Sequence, residues 1–176
     1  MTTTRDTLIQ GALAAYATTD TDTLTVDVLA QTLRMSKSTL YKHFEGLDDL
    51  IYATVEYLCE ETETELVEVP SSAGAEVVFR AIAAVYGNHA ERMPSNLLGS
   101  SPKLPKAARL RLDNMQARLG DRMYRAALNL PKATPVTAQA VQSAFAGALR
   151  FVRTTPRELR FDELQAVAEA VLHGLA

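Results

Sequence analysis

Proline is excluded from helix interiors and from central strands, and here it divides much of the chain into helix-length pieces. Pro94, Pro102, Pro105, Pro131, Pro135 and Pro156 all fall at or near breaks between segments whose apolar residues recur at helical spacing. Apolar alternation of period two, the mark of a half-buried strand, nowhere extends beyond six of the 176 residues. The spacing predicts helices over about 4–17, 48–66, 74–91, 105–129, 136–154 and 161–175. Two shorter helices are expected between the first pair of these, one capped by Thr25 and one running from a Ser36 cap to near Phe44. In "EGLDD", Gly46 is the expected pivot and Asp48 the next cap, and "VEVPSSAG" reads as a loop. Residues 92–104 suggest a short helix and a mobile loop. With 47% apolar residues a core can be buried, and the chain reads as all-α.

Several function classes fall away. No run approaches the roughly 18 apolar residues that span a bilayer. The opening "MTTTRDTLIQ" lacks the charged-then-apolar layout of a secretion signal, so a cytoplasmic protein without membrane association is expected. There is no nucleophile elbow, glycine-rich phosphate loop or paired metal motif. Cys59 has no histidine near it, and His43, His89 and His173 are far apart in sequence. No catalytic activity, metal or cofactor is expected. Net charge is −3, but it is distributed in blocks: residues 48–76 hold nine acids and no base, whereas 101–132 hold eight bases and two acids. Such a sum says little about any one surface.

The stretch "LAQTLRMSKSTLYKHF", residues 29–44, carries the most information. A helix, a short turn and a second helix make a helix-turn-helix. On a wheel of 100° per residue, Leu40 and Phe44 share the inner face, whereas Ser38 and Lys42 lie nearly opposite, with Thr39 and Tyr41 on the flanks. The outer face therefore offers hydroxyls, a phenol and a cation, groups that hydrogen-bond phosphates and base edges in a major groove. An ordinary solvated amphipathic helix would satisfy the same eight residues.

The wider context resembles the N-terminal domain of the TetR family of bacterial transcriptional regulators. "LIQGALAAY" is similar to that family's first helix, "LTVDVLAQTL" to its second, "STLYKHF" to its recognition helix and "DDL" to the start of its fourth. The resemblance covers residues 8–50 without a gap. It implies a three-helix DNA-binding domain over 1–47 and an antiparallel helical ligand-binding and dimerisation domain over 48–176. It implies that Thr25 meets a phosphate, that Lys37, Ser38 and Tyr41 face bases or nearby phosphates, and that Thr39, Lys42 and His43 grip the backbone. The chain departs from the family's pattern at Arg34, where glycine is usual in the turn, at Ser38, where glycine or proline is common, and at Leu47, usually a phosphate-contacting lysine. Arg34 would carry the cost of a left-handed conformation, about 1 kcal/mol, and Leu47 would remove roughly one unit from the salt slope of DNA binding.

The resemblance further implies a homodimer, a small-molecule effector and, most simply, a repressor of operator DNA. Apolar stripes on the last two helices offer a dimer interface: Val141, Ala144, Phe145, Ala148 and Val152, then Leu164, Val167, Ala168, Val171, Leu172 and Leu175. The alternative is that both stripes are internal core. An effector pocket could draw on Phe79, Tyr86, His89, Met93, Leu97, Met115, Leu119, Met123, Tyr124 and Phe145, although Met115, Leu119 and Met123 keep the spacing of a core face with Ala108 and Leu112. Arg111, Arg118, Arg122 and Arg125 could bind an anion or balance the acidic fourth helix. The alternative overall reading is a protein of this architecture that has lost specific DNA binding and works through protein contacts.

Overall fold

The computed structural model describes residues 4–18, 25–70, 72–90 and 104–152, with Ala166 and Ala170, and their side chains except at 16–18, 86–90 and 148–152. Seven helices occur there: α1 Thr4–Thr18, α2 Val26–Thr32, α3 Lys37–Tyr41, α4 Leu47–Val67, α5 Ala75–Ala90, α6 Lys106–Leu128 and α7 Pro135–Val152. No strand occurs among the described residues, as the all-α expectation required. Of the helix expected over 161–175, only Ala166 and Ala170 are described; both are helical and exposed. Except for Leu104, the segment 92–104 lies outside the described residues.

Local chemistry sets the helix ends. Before α7, Thr134 and Thr137 cap each other: the Thr137 N–H donates to Thr134 Oγ1 at 3.2 Å and the Thr134 N–H to Thr137 Oγ1 at 2.8 Å. Pro135 opens that helix at a position where its missing N–H costs nothing. Ahead of it, Leu130–Ala133 turn sharply, with Pro131 second, Lys132 third at φ 61° and an Ala133 N–H to Leu130 carbonyl bond of 3.1 Å. The start of α4 differs from expectation. Asp48 lies inside the first turn, and the Leu50 N–H reaches the Gly46 carbonyl at 3.2 Å. Asp49, one residue further, accepts the Glu45 N–H at 3.0 Å. Gly46 has no positive φ, and a Cβ there would meet open space, so the turn does not require glycine.

The described chain divides into two compact units. One takes the chain up to Glu61 and from 104 to Asp113; the other takes Thr62–Ala90 and the chain from Asn114. In the first, Leu8, Ala12, Leu29, Leu40, Phe44 and Leu50 are buried. Each large apolar side chain among them contributes about 1.5–3 kcal/mol of hydrophobic stabilisation. Helix α1 approaches α2 closely at Gly11, where a Cβ would sit 1.9 Å from Leu33 Cδ2. Cys59, the sole cysteine, is fully buried. In the second unit Phe79 and Phe145 meet edge to face, with centroids 4.8 Å apart, and Ile82, Met115, Leu119, Met123, Ala138 and Val141 are buried too.

The arginine stripe of α6 is engaged within the chain. In the first unit Arg111 Nε donates to Glu56 at 2.9 Å. In the second, Arg118 pairs with Glu63, Arg122 donates to the Val69 carbonyl, and Arg125 pairs with Asp121 at 2.9 Å. Of the two uses open to these arginines, internal electrostatic balance is the one supported by contacts.

Candidate nucleic-acid interface

The candidate reading head is built from two short helices and the turn between them. Thr25 caps α2 in an extended conformation, φ −121° and ψ 165°, with its hydroxyl accepting the Val28 N–H at 3.2 Å. At the other end of α2 the Met35 N–H bonds the Ala30 carbonyl at 2.9 Å and the Arg34 N–H the Gln31 carbonyl at 3.1 Å. This nested pair of bonds requires a left-handed residue, which glycine usually supplies. Here Arg34 occupies it, at φ 51°. The strain expected from the sequence is therefore present in the fold.

Ser36 then caps α3, with φ −78° and ψ 149°, and accepts the Thr39 N–H at 3.1 Å. Its Oγ also lies 2.7 Å from Ser38 Oγ and 2.9 Å from Thr39 Oγ1, so three hydroxyls form one cluster. Regular helix ends at Tyr41, earlier than expected, but the Phe44 N–H still reaches the Leu40 carbonyl at 3.0 Å. Leu40 and Phe44 are 4% and 3% exposed and anchor the inner face. The Arg5 guanidinium stands 5.1 Å above the Phe44 ring and ties α1 to the end of this segment.

Thr25, Lys37, Ser38, Tyr41, Lys42 and His43 are exposed, and Thr39 is half-buried. The structure thus brings all seven sequence-derived DNA candidates onto one stretch of two helices and gives them an anchored inner face. Tyr41, 56% exposed, is a large aromatic held outward. Leu47 is half-buried and, with Val26, Leu29, Leu40, Tyr41, Phe44, Gly46 and Leu50, lines a small apolar hollow. Its side chain thus adds apolar contact where a lysine would add a cation. One participant was not assigned from sequence: Asp27, in the first turn of α2, forms an ion pair with Lys37. Ten residues separate the two, so no helical period signals the pairing.

The remaining candidates divide. Phe79, Met115, Leu119, Met123 and Phe145 are buried in the second unit, and Tyr124 is half-buried. The side chains of Tyr86 and His89, and Met93 and Leu97 entirely, lie outside the described residues. On α7, Ala144 is exposed, but Val141 and Phe145 are 3% and 0% exposed within their own chain. Those two must be withdrawn as interface residues, because an apolar side chain already sealed from water gains nothing from a second copy. Ala148, Val152, Leu164, Val167, Ala168, Val171, Leu172 and Leu175 lie outside the described side chains.

No family model matches the sequence, and no curated protein does so. Solved structures match the fold over its length. The TetR-family regulator PfmR from Thermus thermophilus superposes with a TM-score of 0.80 at 17% identity, covering 100% of this chain and 99% of that one. TetR-family regulators from Streptomyces coelicolor and Agrobacterium tumefaciens each give 0.72 at 16% identity, covering 97% and 98% of this chain and 95% and 97% of theirs. The chain has the fold of TetR-family transcriptional regulators, which is the architecture that the resemblance of residues 8–50 implied.

Proposed function

We propose that this protein is a TetR-like one-component transcriptional regulator that binds operator DNA as a homodimer and is released by a small-molecule effector, acting as a repressor. The observation that carries this reading is the outward face of α3 and of the turn that follows it: Lys37, Ser38, Tyr41, Lys42 and His43 stand exposed on a segment anchored by Leu40 and Phe44. In this reading residues 1–47 bind DNA, and residues 48–176 bind the effector and pair the protomers. The buried aromatic and methionine cluster of Phe79, Met115, Met123 and Phe145 would border the effector site. The effector must favour one of two states to act, since equal affinity for both shifts nothing. A second copy would cover the exposed small residues Ala140, Ala144 and Gly147 of α7.

Titration of a duplex from the region upstream of the protein's own gene, over a salt series, tests the reading. Affinity should fall steeply with salt, and Lys42→Ala should shallow the slope by roughly one unit. Negligible binding at every salt concentration would leave the other reading, a helical protein working through protein contacts. Leu47, in place of a cation, is the residue that favours that second reading.

A further inference from the structure

The proposed reading head contains its own counterion. Lys37 is the first residue of α3 and Asp27 the second of α2. They pair across the Arg34 turn, which joins α2 to α3. Both side chains are more than half exposed, 56% for Lys37 and 66% for Asp27, so the pair can be exchanged for a contact outside the chain. Asp49, another acid of this unit, is committed to the Glu45 N–H at the start of α4. We infer that Asp27 is a specificity-determining residue, a built-in anion that Lys37 must leave before it can neutralise a DNA phosphate. The inference rests on the DNA-binding reading above.

The consequence is a matter of ion exchange. A lysine that meets a phosphate releases about one condensed cation from the duplex. When that lysine comes from an ion pair, the abandoned carboxylate is left uncompensated in the field of the duplex, and a cation stays beside it there. The release and the retention nearly cancel, so Lys37 adds little to the salt slope of the wild-type protein. Non-specific binding consists mainly of such phosphate neutralisation, and it loses the benefit of Lys37. A cognate site recovers it where Lys37 reaches a base acceptor in the groove, a directed bond that arbitrary duplex does not offer in place of Asp27. Asp27 thereby suppresses binding to arbitrary duplex more than binding to the operator.

The test is a double-mutant cycle of wild type, Asp27→Asn, Lys37→Ala and the double variant. Each is titrated over a salt series with the upstream duplex and with a shuffled duplex of equal composition. Circular dichroism and urea midpoints check each fold, and Asp27→Ser serves as a second neutral variant should the asparagine disturb α2. Asp27→Asn should steepen the slope by about one unit and tighten shuffled-duplex binding by about two- to fivefold at low salt, the size of an exposed ion pair. The preference for the upstream duplex should narrow. Lys37→Ala should shallow the slope by about one unit in the Asp27→Asn background and by less than half of that in the wild type. An equal Lys37→Ala effect in both backgrounds overturns this inference while leaving DNA binding standing. Absence of salt-dependent binding in all the proteins overturns the DNA-binding reading and this inference with it.

Discussion

Arg34 shows at the scale of one residue what the turn demands. A left-handed conformation costs an L-residue with a Cβ about 1–2 kcal/mol, and glycine returns part of that through its looser unfolded state. Arg34→Gly should therefore stabilise the protein by up to about 1 kcal/mol, read as a higher urea midpoint with an unchanged slope. A midpoint that falls would mean the guanidinium makes a contact worth more than the strain. The strain was legible in the sequence because the resemblance places glycine at that position. The same conformation at Lys132 was not, although Pro131 marks the turn: proline second in a turn suits both a negative and a positive φ at the third position. The Asp27–Lys37 pair was illegible for a different reason. It depends on how tightly the turn closes, and charge spacing alone cannot state that.

Element boundaries were legible where a side chain caps its own helix. Thr25 and Ser36 could be read as caps because their hydroxyls accept N–H groups three residues on. Asp48 was misplaced because its neighbour Asp49 reaches back past Gly46 to Glu45, a choice between adjacent acids that composition does not make. Helix α3, five residues long, is far below the length at which a helix stands alone. It persists through Leu40 and Phe44. Helix α7 depends on its start: Thr134→Ala should cost about 1 kcal/mol by removing one half of the reciprocal cap, measured by thermal or urea unfolding. Thr134→Ser, which keeps the oxygen, should recover most of it. Equal stability of the wild type and the alanine variant would show that water replaces the cap.

Across the whole molecule, charge is organised by pairing more than by sum. Glu56 and Glu63 of the acidic block are taken up by Arg111 and Arg118 of the basic block, so the net charge of −3 says little about the face that would meet DNA. Both blocks were visible in the sequence. Their contacts were not, since each joins residues 55 apart. The α7 residues that the sequence groups in one apolar stripe divide between two faces: Ala138, Val141 and Phe145 are buried, whereas Ala144 is exposed beside Val136, Ala140 and Gly147. If a second copy covers the exposed face, Ala144→Glu should shift the protein toward monomer in sedimentation while leaving its helical signal intact. An unchanged dimer would place the interface elsewhere.

The burial of Cys59 turns the protein into its own stopwatch. A thiol reagent can reach that sulfur only while the packing over it is open, so the rate of labelling counts openings around α4. In native buffer a chromogenic disulfide should react far more slowly with this protein than with its urea-unfolded form. A cognate duplex, by holding the folded state, should slow the reaction further in proportion to its occupancy. Because no other cysteine competes for the reagent, a single colour change would follow both the opening of the packing around Cys59 and the DNA binding proposed above.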